Sequence, residues 1–383
     1  MSRFACAVLL LAAAPFLFGQ DELNRLVAES VPLRASAERE GSARDRWTKQ
    51  KNALRDLIES RLPANITALN ADFSNLETRM NAELEQAGLI QPEGTEVGTG
   101  YVSKLELSRP AEFPDALVVR AGVSVECGSD DSVYVYRFSD TRTRLIEAQG
   151  TEKWGISVAE TRFSGPDAAG SHVFYASWYN VQCGSNWNEL AYRLFRIGPG
   201  TEPAVPLFSS THTFVMDEGL NVKLTAQDLL IELGAEAMFP GYRRTYELHY
   251  SIGPHGVERI DPVALQPQDF VHEWLMEPWE EMQSRSGSSE TLVKWHKFVH
   301  AVSGNYEFVQ PCINRPGFIQ VGVDLDSIGD REIPEPLQVY FLVKDKGNYS
   351  YEMSGVSFDT QDDCPGETPA VDYGELPSLF KKK

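Results

Sequence analysis

"VECGSDDSVYVYR" (residues 125–137) and "VQCGSNWNELAYR" (residues 181–193) carry one pattern twice, V-x-C-G-S-x6-Y-R, with Cys127 and Cys183 56 residues apart. In each copy a small-residue C-G-S step separates segments rich in Val, Tyr and Phe. β-branched and aromatic residues fit a pleated, half-buried surface, while Gly and Ser punctuate it, so the pattern predicts strand, turn and strand. "PDALVV" (114–119) leads into the first copy and "PDAAGSHVFY" (166–175) into the second. A third, weaker copy without cysteine begins at "QDLLIEL" (227–233), and its "YRRTYELHYSIGP" (242–254) echoes "YRLFRIGP" (192–199) of the second.

Self-similarity at this period indicates a repeated sheet unit, near the size of one four-stranded propeller blade. A closed propeller needs about four to eight blades. Three units can be counted, and a fourth only if C-terminal strands supply it. A propeller-like ring, an open sheet and a sandwich of hairpins all fit. The fold class expected is mainly β within an α+β whole.

Flanking segments change period. "SARDRWTKQKNALRDLIESRL" (42–62) places Leu54, Leu57, Ile58 and Leu62 at helical spacing behind Ser42 as N-cap. Pro63 breaks that helix, and Ile66, Leu69, Phe73, Leu76 and Met80 form a second seam ending near Gly88. A helical hairpin packed on the body is expected; an a/d seam could also make a homo-oligomer. After the repeats, "FVHEWLMEPWEEMQ" (270–283), with Asp269 as cap, and "ETLVKWHKFVHAV" (290–302) read as helices. "GFIQVGVDL", "LQVYFLVKDKG" and "YSYEMSGVSF" read as three strands. The expected organisation is a signal peptide over 1–19, a helical region over 20–92, repeated all-β structure over 100–265, an α+β module or continuation of the sheet over 266–370, and a disordered tail over 371–383.

The first 19 residues have Arg3, an apolar run over 5–18 and Gly19, the layout of an export signal whose removal leaves no transmembrane segment. Export to the periplasm or outside the cell makes the four remaining cysteines disulfide candidates. Pairing equivalent turns gives Cys127–Cys183 and leaves Cys312–Cys364. Their wide spacing is unlike structural zinc sites, which bring ligands in close pairs. The net charge of −20 opposes nucleic-acid binding, which rests on Lys and Arg neutralising phosphates.

Three constellations could bear chemistry. Trp178, Tyr179, Asn186 and Trp187 combine aromatic faces with amides, as a sugar or peptide site does, although a strand buried on both sides has the same composition. In "DLDSIGDREIPE" (324–335), Asp324, Asp326, Asp330 and Glu335 fall at positions 1, 3, 7 and 12 of an EF-hand-like loop that could take calcium. However, Ile328 spoils position 5, Pro334 and Pro336 bracket the last ligand and strands flank it, which favours a solvated charged loop and no cofactor. His296 and His300 share a helix face, but Lys297 stands where a zincin needs Glu, which favours structural histidines. No nucleophile elbow, P-loop or dinucleotide fingerprint occurs. The function expected is a non-catalytic exported binding or scaffolding protein for an envelope or extracellular ligand, protein or glycan. The alternative is a secreted glycan hydrolase using a carboxylate pair.

Overall fold

The computed structural model describes residues 20–35, 43–92, 98–125, 128–150, 156–181, 188–236, 242–254, 256–299, 302–328, 331–359 and 364. The expected signal peptide 1–19 and expected tail 371–383, with Ser42, Cys127, Cys183, Asn186, Trp187, His300 and Asp330, lie outside them. Among the described residues the chain is mainly β, 46% strand and 28% helical, with four antiparallel sheets and no closed barrel.

Each sheet is a four-stranded meander of consecutive strands. The first holds β1 (Glu106–Ser108), β2 (Ala116–Val125), β3 (Gly128–Phe138) and β4 (Thr143–Gln149). The second holds β5 (Ile156–Phe163), β6 (His172–Val181), β7 (Asn188–Ile197) and β8 (Val205–Phe214). The third holds β9 (Met216–Leu224), β10 (Asp228–Glu236), β11 (Arg243–Gly253) and β12 (Gly256–Arg259). The fourth, β13 (Val302–Pro311), β14 (Phe318–Ile328), β15 (Arg331–Asp345) and β16 (Tyr351–Ser357), follows a helical insertion. The doubled motif thus marks equivalent β2–β3 and β6–β7 hairpins. The second strands of the first three sheets start at Ala116, His172 and Asp228, 56 residues apart each time.

Two units partition the chain, one covering 1–213 with 224–226, the other 214–223 with 227–383. In the first, α1 (Gln20–Ala35), α2 (Ala43–Arg61) and α3 (Ile66–Gln86) cover one face of the first sheet. Strand alternation sends Leu117, Val119, Val123, Tyr134 and Tyr136 to those helices. The other face sends Val118, Val133 and Val135 to Phe174, Trp178 and Phe195 of the second sheet. A sheet covered on both faces reads as an unbroken apolar run, which is why β2 and β3 do not alternate in polarity.

The helices end where their residues dictate. The Asn65 side chain accepts from the Ala68 N–H at 2.9 Å and caps α3. At the other end Gly88, at φ +66°, lets Leu89 N–H reach Leu84 O and Gly88 N–H reach Glu85 O, a Schellman closure. Leu69, Leu76 and Met80 of the expected seam are buried in the chain's own core, with Ile66 and Phe73 partly buried against it. The two expected N-terminal helices are present as α2 and α3, and among the described residues α1 precedes them.

In the second unit α4 (Pro267–Met276), short α5 (Trp279–Met282) and α6 (Glu290–Val299) pack Phe270, Trp274 and Leu292 against Val321, Val339, Phe341 and Met353 of the fourth sheet. Pro278 ends α4, because the residue before a proline is driven to extended backbone; Glu277 has ψ 151°. The cap of α4 is Gln266 with Pro267 following, so Asp269 sits inside the first turn rather than before it. On the reverse face of the sheet, Cys312 and Cys364 stand at disulfide distance, 52 residues apart in sequence. Buried Gln320 donates to Cys364 O at 3.0 Å beside them.

Candidate functional site

The strongest concentration of polar chemistry lies where β11 faces α4. In β11 the alternation turns Arg244, Tyr246, Leu248 and Tyr250 inward, Arg244 with a side chain only 1% exposed. On α4 and just beyond it, Asp269, Glu273 and Glu277 recur at four-residue spacing and so share a helix face. Glu273 bridges two arginines, taking Arg244 Nη2 at 3.0 Å and Arg259 Nη2 at 2.8 Å. Arg259 also reaches Glu277 at 3.3 Å. Arg244 Nη1 donates to Asp269 O at 3.0 Å and lies 3.2 Å from His272 Nδ1. Its guanidinium carbon sits 4.2 Å over the Tyr246 ring. The rigid guanidinium fork permits this division of donors in a way a lysine ammonium does not.

Burial opposes the charge of Arg244, but Glu273 and Asp269 outweigh it and its pKa rises. Burial raises Asp269, with Arg244 and Tyr242 pulling the other way. Burial and then neighbouring Glu273 push Glu277 up to about 7, against Arg259.

Above this network opens a cleft of about 340 Å³ lined by Tyr242, Arg243, Thr245, Gln266, Gln268 and Asp269 among others. Gly234, cross-strand partner of Thr245, also lines it and contributes no side chain to fill it. Tyr242 Oη donates to Asp269 Oδ1, and the Gln266 N–H donates to the same carboxylate. The site therefore presents one fixed carboxylate, an aromatic ring, two amides and a guanidinium. Such a set can orient hydroxyls and amides of a small ligand.

A second buried polar group lies in the first unit. Lys51 Nζ of α2 meets Asp130 Oδ2 at 2.7 Å and donates to Gly150 O at 2.5 Å. The neighbouring Asp131 points to the other face, taking Arg120 Nη2 at 2.7 Å and the Val158 N–H at 2.9 Å. The two side chains of the Lys51–Asp130 pair are enclosed, so they tie layers together rather than face a ligand.

The described residues among those singled out in the sequence do not assemble into one site. Trp178 is core, 3% exposed between the first two sheets, because β6 points it there. Tyr179, the next residue, takes the other face and is half-buried, so the pair makes no shared platform. Asp324 and Asp326 lie on β14 in a hairpin with β15, in extended backbone rather than a wound calcium loop. Glu335 is on β15, with its side chain outside the described set. Among the described residues, no three His, Cys, Asp or Glu side chains cluster as a metal site would. His296 packs edge-on to Trp274 and Trp279, with Nε2 3.0 Å from Glu277 O, as a structural histidine does.

The arginine–carboxylate network was missed from sequence. Its signal was the D-x3-E-x3-E spacing over 269–277, which puts three carboxylates on one helix face. Searches against known protein families and curated proteins find no match to this chain.

Proposed function

We propose that this chain is a non-catalytic exported binding protein whose second-unit cleft takes a small hydroxyl-rich ligand, such as a sugar unit of a glycan. The observation that carries the reading is the Tyr242–Asp269 pair at the cleft wall, an acceptor held in one orientation beside an aromatic face. Gln266, Gln268, Thr245 and Arg243 surround it with further donors and acceptors. Beneath, Glu273 is engaged by two arginines, which suits a rigid floor. Export is supported by the apolar leader and by the Cys312–Cys364 pair.

One observation favours a glycan hydrolase as the second reading. Burial raises Asp269 at the cleft wall and pushes Glu277 behind it up to about 7, and a general acid requires a carboxyl raised in this direction.

Titration calorimetry against a panel of neutral oligosaccharides, with chromatography of the recovered ligand, separates the two. Binding is expected with the ligand recovered intact, weakened about tenfold or more by Tyr242→Phe or Gln268→Ala, in line with loss of a well-placed polar contact. Turnover that Asp269→Asn abolishes would transfer the assignment to the hydrolase. Absence of binding across the panel would sink the reading.

A further inference from the structure

Arg137 of β3 and Arg144 of β4 are direct cross-strand partners in the first sheet. Arg142 stands two residues before Arg144. Like charges directly opposite on a sheet repel, so the fold has to hold this pair by other means. It does so through the four residues 198–201 that follow β7. Arg137 Nη1 donates to Gly198 O and Gly200 O, each at 2.6 Å. Arg142 Nη2 donates to Thr201 Oγ1 at 2.8 Å, and Arg144 Nη1 to Thr201 O at 3.4 Å.

Every one of these acceptors is neutral. Among the described residues, none of the three guanidiniums pairs with a carboxylate within 4.0 Å. The bonds use one nitrogen of each, although a guanidinium carries five N–H donors. Arg142 and Arg144 are exposed, and Arg137 is half-buried against the Phe113 ring, its guanidinium carbon 4.9 Å from the centroid. Burial lowers the pKa of Arg137, with Asp115 the carboxylate that partly offsets it. Space around the loop is open, since a Cβ built on Gly198 or Gly200 meets nothing within 4 Å.

We infer that this arginine triad is a binding site for a single oxyanion, a carboxylate, sulfate or phosphate monoester on a small ligand. The planar fork of arginine matches such groups with paired, charge-assisted hydrogen bonds. The charge of the chain sets the size of the guest. With a net −20, a polyanion meets repulsion wherever it extends past the triad, whereas a single group feels chiefly the charges within a Debye length of about 8 Å. Asp140 and Glu202, adjacent in sequence to the arginines and the loop, sharpen that limit. The triad belongs to the first unit and the proposed sugar cleft to the second, with no residue in common, so each stands or falls alone.

Titration calorimetry of the intact, disulfide-bonded chain at low salt tests it with sodium sulfate, inorganic phosphate, galacturonic acid and a sulfated polysaccharide. Saturable binding of a small oxyanion is expected, weaker as sodium chloride is added. The Arg142→Ala/Arg144→Ala variant should lose about tenfold or more in affinity with its melting temperature kept. If that double variant unfolds, Arg142→Ala alone, which gives up one threonine contact, carries the comparison. Tightest binding of galacturonic acid assigns a ligand-borne carboxylate; tightest binding of sulfate or phosphate assigns the free ion or its monoester. No binding of any small anion, or equal affinity in the variant, overturns the site, as does a polysaccharide that binds tighter than every small anion.

Discussion

Lys51 of α2 and Asp130 of β3 meet at 2.7 Å with side chains 3% and 0% exposed, placing an ion pair inside the junction of the helices and the first sheet. Burial lowers Lys51 and pushes Asp130 up to about 7, each partner opposing the other's shift. Both shifts favour the neutral forms, so desolvation outweighs attraction here. The pair specifies how helix and sheet meet more than it stabilises them. Removing one partner strands the other charge: Asp130→Ala should cost about 3–5 kcal/mol in urea unfolding. Replacing both, as Lys51→Met/Asp130→Leu, should recover most of that loss. A double variant as unstable as the single one would show that the pair itself supplies the stability.

Gly150 completes the same junction, since its carbonyl accepts from Lys51. It has φ +76°, and a Cβ there would meet Asp131 O at 2.3 Å, a backbone atom that cannot swing aside. Gly150→Ala should therefore destabilise by more than the about 1 kcal/mol of a left-handed alanine alone. The denaturation midpoint measures it, with Gly165→Ala as a control, where a Cβ meets nothing within 4 Å. Equal costs at the two positions would contradict the close approach.

The inner strands of the sheets were legible and most outer ones were not, for one physical reason. β2, β3, β6, β7, β10 and β11 are clad on both faces or alternate cleanly, so apolar and aromatic residues fill them. β4 buries only Ile146 and Gln149, and β8 leaves Val205 59% exposed. β13, with Gly304, Asn305 and two register shifts, reads as a loop. An edge strand is made by its neighbour's hydrogen bonds, which leave little trace in its own residues. The same holds for the cleft. The carboxylate spacing on α4 is written in sequence, but Arg244 and Arg259 come from strands, and their meeting with Glu273 exists only in the fold.

The Cys312–Cys364 link closes a 52-residue span that includes β14, β15 and β16. Loop-closure entropy for that length corresponds to about 4 kcal/mol. Cys312→Ser/Cys364→Ser should lower the unfolding free energy by about 2–5 kcal/mol, and dithiothreitol should do the same to the wild-type chain but not to the variant. The comparison is made by guanidinium melts with and without reductant. A wild-type chain indifferent to reductant would show that the two thiols are not joined.

Asp130 and Glu277 are both raised to about 7, from ordinary values of 3.8 and 4.5, by burial first. A folded-state pKa above the unfolded one means that the fold holds the proton more tightly. Each group's contribution is therefore fully present below about pH 4 and is lost as pH rises towards about 7, beyond which it stays flat. This is opposite in sign to a salt-bridged surface carboxylate. Asp130→Asn and Glu277→Gln imitate the protonated acids and remove the titration. The difference in unfolding free energy between wild type and each variant should then shift in favour of the variant from pH 4.5 to 7.5. Urea melts across that range measure it, and the difference between the two chains cancels groups that titrate alike in both. A difference that does not change with pH would mean that these two carboxyls titrate normally in the fold.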